Sequence, residues 1–330
     1  MSNGIALSTP TRTDPLDREL ARVEDELILN LGGGANVLQA VVKGALHAGG
    51  KRMRPRMMLL SAAACGADAS TLARCRRFAV AVEYLHTATL LHDDLVDDAS
   101  LRRGQATAHI RYGAKKAVLA GDLLFARCLS LMAEADLTEP VRILAQATER
   151  MAVGEAMEIE LTRRPEVSEE EYFVFAAAKT APLFSAAAEL GAVLTGAPDR
   201  VRAALVRYGE AVGTAFQVTD DILDVTAPTE RSGKERGTDL RGGVSTLPVL
   251  KALAVLAGTP HELEIRKVLT GDCLDSSRAL QLVREHGVAP AKLSAYRLVN
   301  DARQALCEVA PSPAVDALRT LAKTAVDRLS

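Results

Sequence analysis

The stretch from Thr71 to Asp98 most constrains the fold, because it contains no Gly or Pro and is mainly apolar. It is far longer than a usual β-strand, and Ala and Leu, which are abundant in it, are strong helix formers. The whole chain has the same bias, with 48% hydrophobic but only 3% aromatic residues and no Trp. Runs of β-branched and aromatic residues, which strands favour, are missing. We therefore expect an all-α protein in which residues 71–98 form one long buried helix.

Gly, Pro and polar turn residues divide the rest of the chain into further helical segments. The first three helices are predicted from Pro15 towards Leu31, over about 35–48, and from Pro55 to about Cys65. Later helices are predicted at about 114–135, 139–162, 169–195, 199–225, 246–256, 261–269, 275–286, 289–308 and 312–328, with a long polar loop over 226–243. Residues 1–12 are rich in Ser, Thr, Pro and Gly and are expected to be disordered. No linker separates two cores, so we predict one large helical domain over 13–330.

Charge and hydropathy argue against several classes of function. The net charge of −2 and the pI near 6.3 give no global basic field of the kind that nucleic-acid binding requires. The five cysteines lack CxxC spacing, which favours reduced thiols over a disulfide framework. We find no signal-like segment and none that approaches the roughly 18 uncharged apolar residues of a membrane span. A cytoplasmic protein is expected.

An acidic cluster, HDDLVDD, ends the long predicted helix. Asp93 and Asp97 are four residues apart, so they lie on one helix face and can bind the same cation. Carboxylates at a helix C-terminus oppose the macrodipole. This acidic cluster, which also contains Asp94, is therefore either a solvated helix end or a site where a hard divalent cation balances the negative charge.

A second triplet with the same spacing, DDILD, contains Asp220, Asp221 and Asp224 and ends the apolar helix at 208–218. If the two triplets face each other across a cavity, their repulsion is relieved only by metal ions. Magnesium keeps several waters and binds one or two carboxylates together with phosphate oxygens. The sequence therefore predicts a Mg²⁺-diphosphate as the ligand.

Basic residues stand close to both ends of this predicted site. Lys51 and Arg54, with Arg52 between them, follow the glycine turn that ends at Gly50, and Arg102 and Arg103 follow the first acidic motif. Arginine matches phosphate oxygens in a bidentate way and lysine supplies a point charge. Either basic pair alone would be interpreted as solvated surface, but beside two acidic triplets they favour phosphate binding.

Polar residues also interrupt apolar helical segments. His86 lies two turns before Asp93 on the same face, and it is either a satisfied core residue or a diphosphate contact. Lys179 and Thr180 interrupt the apolar run 173–184, where a lysine needs a partner or a shifted pKa. Gln217 adds a neutral dipole three residues before the second triplet.

These motifs resemble those of the trans-isoprenyl diphosphate synthases. The resemblance is carried, in the family's order, by GGKRMRP at 49–55, EYLHTATLLHDDLVDDASLRRGQAT at 83–107, GD at 121–122, KT at 179–180, FQVTDDILD at 216–224, and GKERGTDL with TLP at 233–248. It implies an orthogonal helical barrel around a deep central cavity, usually in a homodimer. The implied reaction extends an allylic diphosphate head to tail with isopentenyl diphosphate.

The resemblance also implies roles for individual residues. The ligands of three Mg²⁺ ions would be Asp93, Asp97, Asp220 and Asp224, with Asp94 and Asp221 as accessory carboxylates. The allylic diphosphate would contact Arg102, Lys179 and Lys234. The isopentenyl diphosphate would contact Gly50, Lys51, Arg54, His86 and Arg103. Thr180 and Gln217 would face the developing carbocation.

Two other functions remain open on such a fold. A terpene cyclase or another prenyl-coupling enzyme also uses acidic motifs and Mg²⁺, but it needs no second diphosphate pocket of the kind that Lys51 and Arg54 indicate. A non-catalytic subunit of a two-component synthase tends to lose the acidic motifs, and both are intact here. One departure is Gly242-Gly243-Val244, where many family members have Glu-Gly-Lys; it leaves Lys234 as the phosphate contact of this loop.

Residues upstream of Asp93 are expected to set the product length. If the acidic helix end anchors the diphosphate, the growing tail runs back along the helix, about 5.4 Å for each turn. In relatives that stop at fifteen carbons, bulky aromatics commonly stand four or five residues before the first aspartate, where this chain has the small Thr89 and Ala88. The limit would then be set by Leu85, Tyr84 or an opposing helix. We expect products of at least about twenty carbons.

Overall fold

The computed structural model describes residues 15–29, 31, 36–102, 104–226 and 236–329, and within these ranges the protein is almost entirely helical. The helices are α1 (Pro15–Leu29), α2 (Asn36–His47), α3 (Met53–Ala64), α4 (Ala69–Val96), α5 (Ala108–Tyr112), α6 (Ala114–Ala133), α7 (Thr138–Leu161), α8 (Glu169–Leu194), α9 (Asp199–Thr226), α10 (Thr238–Gly242), α11 (Leu247–Val255), α12 (Pro260–Thr270), α13 (Ser277–His286), α14 (Val288–Ala305) and α15 (Pro313–Thr324). Short 3₁₀ turns follow at Leu306–Glu308 and Asp327–Leu329. The predicted all-α class is confirmed. The tail predicted at residues 1–12 lies outside the described residues.

Local capping explains where the long helix begins. The side chain of Asp68 accepts a hydrogen bond from the backbone N–H of Thr71 at 2.7 Å, so α4 starts at Ala69, slightly earlier than predicted. Between α4 and α6, the sequence prediction missed a two-residue antiparallel hairpin, β1 (Leu101–Arg102) with β2 (Gln105–Ala106), and the short α5. These elements are too short to produce a recognisable periodicity.

The long polar loop predicted at 226–243 is wrong in part, because it contains α10. The carboxylate of Asp224 accepts hydrogen bonds from the backbone N–H groups of Thr238 at 3.1 Å and Asp239 at 3.3 Å. This side chain therefore caps α10 from a distant position in the sequence. Residues 227–235, between the two elements, lie outside the described part of the chain.

The apolar side chains form three buried clusters. The first lies where α4 packs with α6 and receives residues from α1, α2, α3, α7 and α8. The second joins α3, α8 and α9 with α11, α14 and α15, and the third joins the end of α9 with α10 to α13. Both α3 and α8 contribute to the two larger clusters, and α8 is the central helix because α3, α7 and α9 all pack against it.

The length and composition of α8 also satisfy the requirements for a membrane-spanning helix, so the expectation that no segment would do so was too strict. However, 61% of the qualifying stretch is buried inside the protein, as in the core helix of a soluble protein. The helix continues through the buried Pro182, whose missing N–H cannot bond to the carbonyl oxygen of Ala178.

Close contact between α8 and α3 depends on Gly191. A Cβ at this position would lie 2.6 Å from the carbonyl oxygen of Met58 and 2.7 Å from the amide nitrogen of Ala62. Both neighbours are backbone atoms of α3 and cannot move as a flexible side chain would. A larger residue at position 191 therefore has to push two core helices apart.

We predict that Gly191→Ala lowers the free energy of unfolding by about 1–3 kcal/mol, the usual range for overpacking a core. The matched control is Gly44→Ala in α2, where the nearest atom to a new Cβ is the Tyr112 hydroxyl oxygen at 3.8 Å. This control should be neutral or slightly stabilising, since Ala is the better helix former. Urea unfolding measures both, and equal stability of the two variants would contradict the packing.

Candidate active site

The first acidic motif lies at the C-terminal end of α4. Asp97 caps the helix and donates its backbone N–H to the carbonyl oxygen of Asp93 at 2.8 Å. Asp93 is half-buried and Asp97 is exposed. Asp94 is buried, and its carboxylate accepts a hydrogen bond from Nε of Arg102 at 2.6 Å. The middle aspartate therefore holds the predicted diphosphate ligand Arg102 in place.

The ionised form of Asp93 is disfavoured in the structure. Burial, reinforced by the charges of Glu155 and Asp97, raises the pKa of Asp93 to about 7, against the opposing effect of Lys179 and Arg102. A nearby cation would favour the carboxylate form. The position therefore suits a divalent metal ion, which prefers hard oxygen ligands.

Two glutamates that sequence reasoning missed hold Lys179. Its Nζ lies 3.0 Å from the Glu155 carboxylate and 2.8 Å from that of Glu158, both on α7. Although burial lowers the pKa of Lys179, Glu158, Glu155 and Asp97 outweigh it and raise the pKa above its usual value. The lysine therefore has the partner that its apolar setting required. The signal in the sequence was a pair of acids three residues apart within a predicted helix.

The crossing of α7 and α8 explains this proximity. A Cβ on Gly154 would lie 2.4 Å from the amide nitrogen of Lys179, so only glycine lets the two backbones approach so closely. Glu155 follows Gly154 directly and therefore lies next to Lys179. The contact between helices thus sets the position of the cation.

The second acidic motif, at the end of α9, distributes its three carboxylates among different partners. Asp220 forms an ion pair with Arg328 at 2.5 Å. Asp221 is buried and accepts hydrogen bonds from the Tyr172 hydroxyl at 2.5 Å and from Nε2 of Gln217 at 2.8 Å. Burial raises the pKa of Asp221 to about 7, and these two hydrogen bonds offset part of the rise. The capping role of Asp224 is described above.

Thr180 and Gln217 lie together, as the sequence led us to expect for residues of one site. The Thr180 hydroxyl donates to Oε1 of Gln217 at 2.5 Å. With the bond from Gln217 to Asp221, this gives a continuous chain of polar contacts from α8 to α9. The amide dipole of Gln217 is therefore held at both ends.

The residues of the basic motif after α2 have different surroundings: some are candidate ligand-binding residues, and one forms ion pairs within the protein. Arg54 is stacked on the Phe184 ring at 4.2 Å, its Nε is buried without a hydrogen-bond partner among the described residues, and burial lowers its pKa to about 10. Lys51 and Gly50 are exposed. Arg52 instead forms ion pairs with Glu24 and Glu83, both at 2.7 Å, and so fastens the motif to α1 and α4.

His86 and Arg102 line the same narrow cleft, of about 80 Å³, between α4, α2 and α5, together with Arg52 and Asp94. Arg102 also acts electrostatically on both Asp93 and Asp220, so the ends of α4 and α9 belong to one charged region. The predicted ligands Arg103 and Lys234 lie outside the described residues.

The residues predicted to set the product length lie on different sides of α4. Tyr84 is fully buried, and its hydroxyl donates to the carbonyl oxygen of Leu27 in α1 at 2.9 Å. Leu85 and Ala88 are buried in the first apolar cluster. Thr89 is half-buried, and its hydroxyl donates to the His86 carbonyl oxygen at 2.9 Å. Thr89 is therefore the most exposed of these four residues.

The donor set fits a metal that is bound jointly with a ligand. No three acidic, His or Cys side chains converge into a complete metal site within the described ranges. Carboxylate oxygens at the two helix ends, with arginine and lysine between them, are nevertheless the groups that a metal-diphosphate needs. The fold and these groups define a helical enzyme class that acts on diphosphates.

Comparison with known proteins identifies the family. A family model described as polyprenyl synthetase matches residues 35–286. The all-trans-nonaprenyl-diphosphate synthase (geranyl-diphosphate specific) of Rhodobacter capsulatus is 34% identical over 316 residues, which cover 96% of each chain. The geranylgeranyl diphosphate synthase of Methanosarcina mazei is 40% identical over 213 residues, 63% of this chain and 64% of the relative.

A solved structure agrees with this result. The polyprenyl synthase of Caulobacter crescentus, complexed with calcium and isoprenyl diphosphate, superposes with a TM-score of 0.89 at 35% identity and covers 98% of this chain and 100% of that one. The chain belongs to the polyprenyl synthetase family and is a prenyl transferase. The resemblance inferred from the motifs is confirmed.

The raised pKa of Asp93 predicts how stability depends on pH. In the folded protein Asp93 keeps its proton up to about pH 7, whereas in the unfolded chain it ionises at about pH 4. The folded state binds more protons in this window, so stability falls as pH rises through it. We predict that Asp93→Asn raises the melting temperature of EDTA-treated protein at pH 8, with a smaller effect at pH 5.

The control is Asp98→Asn. The Asp98 side chain is 97% exposed, so this variant removes a carboxylate charge that is not buried. Thermal unfolding followed by circular dichroism at both pH values gives the comparison. If Asp93→Asn melts at the wild-type temperature at pH 8, burial of Asp93 does not destabilise the ionised form.

Proposed function

We propose that this prenyl transferase condenses isopentenyl diphosphate head to tail with an allylic diphosphate and so lengthens a trans-polyprenyl chain. The observation that carries the proposal is the grouping of Asp93 and Asp97 with Lys179 at one helix end, coupled through Arg102 to Asp220 at the other. The names of the relatives, a nonaprenyl and a geranylgeranyl diphosphate synthase, support it.

For the allylic diphosphate, we assign the sequence-predicted metal ligands Asp93, Asp97, Asp220 and Asp224 to three Mg²⁺ ions. When bound, these ions would stabilise the negative charge that grows on the leaving diphosphate. The divalent ion and isoprenyl diphosphate in the Caulobacter crescentus complex support this assignment. Asp224 can contribute while it caps α10, because an ionised carboxylate has about four acceptor positions.

The protein's own contribution to ionisation is the placement of cations. Asp94 orients Arg102, and Glu155 and Glu158 keep Lys179 protonated and directed towards the end of α4. We assign Arg102, Lys179 and Lys234 to the allylic diphosphate. Preorganised cations stabilise the transition state without reorganising during the reaction.

The allylic carbocation needs dipoles rather than full charges. Gln217 donates its amide N–H to Asp221, which leaves Oε1 directed away from that carboxylate and towards Thr180. An amide oxygen has two lone pairs, so the second can face positive charge while Thr180 occupies the first. We therefore assign Thr180 and Gln217 to stabilisation of the cation.

The isopentenyl diphosphate site is assigned to Gly50, Lys51, Arg54, His86 and Arg103. A buried arginine nitrogen without a partner, as in Arg54, has lost its hydration and gains a hydrogen bond when an anion binds. Such a group outside the acidic motifs favours two diphosphate substrates over the single one of a cyclase. The intact acidic motifs argue against a non-catalytic subunit.

We propose products of at least about twenty carbons, since the small Thr89 leaves room for about one further helical turn of tail. The geranylgeranyl and nonaprenyl names of the relatives are consistent with this range. Tyr84 is an unsuitable floor because its hydroxyl is bonded to α1. Leu85 and an opposing helix remain the proposed limits.

We further propose that residues 13–330 act as one cytoplasmic domain and that two copies form a dimer through α6 and α7. Leu119 and Leu129 of α6 are 52% and 63% exposed, and Val153 and Ile159 of α7 are 53% and 60% exposed. Several exposed apolar side chains on two consecutive helices are typical of an interface. Analytical ultracentrifugation distinguishes a dimer from a monomer.

Removal of a proposed metal ligand should lower turnover strongly without unfolding the protein. We predict that Asp97→Ala and Asp220→Ala each reduce kcat by about 10²–10⁴-fold, because transition-state charge stabilisation is lost. Asp98→Ala, one residue beyond the triplet, should stay within about twofold because no such interaction is removed. Steady-state assays with Mg²⁺ measure the effect, and normal turnover in folded Asp97→Ala would contradict the metal assignment.

Product length provides a test of the tail path. We predict that Thr89→Phe shortens the product to about fifteen carbons, because the new ring blocks the path about one turn from the acidic motif. The control is Val174→Phe, at a 53% exposed position of α8, which should leave the product length unchanged. Mass spectrometry of the products gives both lengths, and an unchanged length in Thr89→Phe would show that the tail takes another route.

A further inference from the structure

The last described turn, Asp327–Leu329, lies beside the second acidic motif. Nη2 of Arg328 is 2.5 Å from the Asp220 carboxylate. The turn is held in place from both sides, since Leu329 is buried in the second apolar cluster and its carbonyl oxygen accepts a hydrogen bond from Nζ of Lys292 at 2.5 Å. Arg328 therefore has a defined position although it is far from Asp220 in the sequence.

Arg328 and Arg54 each stack on one ring of an aromatic pair. The guanidinium carbon of Arg328 is 4.8 Å from the centre of the Phe216 ring, and that of Arg54 is 4.2 Å from the centre of the Phe184 ring. The two rings are 5.5 Å apart between centroids. Cation–π contacts of this kind orient a guanidinium while leaving its N–H groups available for hydrogen bonds.

Both arginines carry the same unsatisfied atom. In each, Nε is buried and has no hydrogen-bond partner among the described residues. Buried donors are normally paired, and an unpaired one calls for an explanation. Both guanidiniums interact electrostatically with Asp220, so the two donors belong to one region of the site. Two buried, oriented, cationic donors are typical of a site for a multivalent anion.

Resting on the proposed function, we propose that Arg328 is a further substrate-binding residue, which together with Arg54 holds the diphosphate of isopentenyl diphosphate. In this proposal, Arg328 pairs with Asp220 in the absence of the diphosphate and donates to the diphosphate when it is bound. Nη2 serves Asp220, while Nε and the remaining N–H groups can serve phosphate oxygens, since arginine has five donors. The competing interpretation is that Arg328 only neutralises Asp220.

Direct binding separates these interpretations without turnover. Isothermal titration calorimetry with isopentenyl diphosphate in EDTA, without any allylic primer, measures binding alone. We expect Arg328→Gln to weaken binding by about tenfold or more, the effect of losing a charged hydrogen bond. The control Arg319→Gln removes an arginine of α15 that pairs with Asp316, and it should bind as the wild type does.

The sign of a second variant is also informative. Asp220→Asn removes the carboxylate that competes with the diphosphate for Arg328, so it should bind isopentenyl diphosphate more tightly than the wild type in EDTA. If Arg328 only neutralises Asp220, Arg328→Gln weakens binding solely by unmasking the Asp220 charge, so Asp220→Asn restores the affinity in the double variant. A gain that disappears in the double variant supports the proposal.

Steady-state kinetics distinguish the possible failures. We expect Arg328→Gln to raise KM for isopentenyl diphosphate about tenfold and leave KM for the allylic primer nearly unchanged. A wild type without prenyl transfer would refute the proposed function, whereas an active wild type with an unchanged Arg328→Gln would refute only this inference. If Arg328→Gln fails to fold, Arg328→Met keeps the apolar part of the side chain but removes the charge and the donors, and normal affinity in that variant overturns the proposal.

Discussion

Charge balance at the ends of two apolar helices is the constraint on which the site depends. α4 and α9 each bring carboxylates to a partly buried position, where an ionised acid is costly unless a cation lies nearby. Other segments supply the cations: α8 carries Lys179, the hairpin carries Arg102, and the last described turn carries Arg328. The fold thus has to bring together segments that are far apart in sequence before either acidic motif can be accommodated.

The two acidic motifs place their three carboxylates in the same way. In each, the middle aspartate is buried and engaged, Asp94 with Arg102 and Asp221 with Tyr172 and Gln217. The first and last carboxylates of each motif remain at the helix end. The spacing of the three acids therefore has two functions. It places one carboxylate towards the protein, where it orients a neighbour, and, under the proposed function, leaves the other two as ligands for the metal ions.

The helices and the acidic motifs could be predicted because they depend on local pattern: apolar periodicity, glycine and proline breaks, and carboxylates at a spacing of one turn. Glu155, Tyr172 and Arg328 could not be predicted in the same way, because each acts through a contact with a residue remote in the chain. The orientation of Tyr84 towards α1 could not be predicted from the sequence either. Helical spacing gives the position of a side chain around its own axis but not which neighbouring helix lies there.

In the structure, most charged side chains of the site already have a partner that belongs to the protein. Lys179 pairs with glutamates, Arg102 with Asp94, and Asp220 with Arg328, while Asp224 caps a helix. When a metal-diphosphate binds, these side chains would therefore replace their protein partners with the metal ions or the phosphate oxygens. Few charges would be left without a partner. A ligand that binds only the folded state stabilises it. The metal ions that accompany the diphosphate would also lower the raised carboxylate pKa values and so remove that source of instability. The instability of the site and its affinity for the ligand then have the same electrostatic origin.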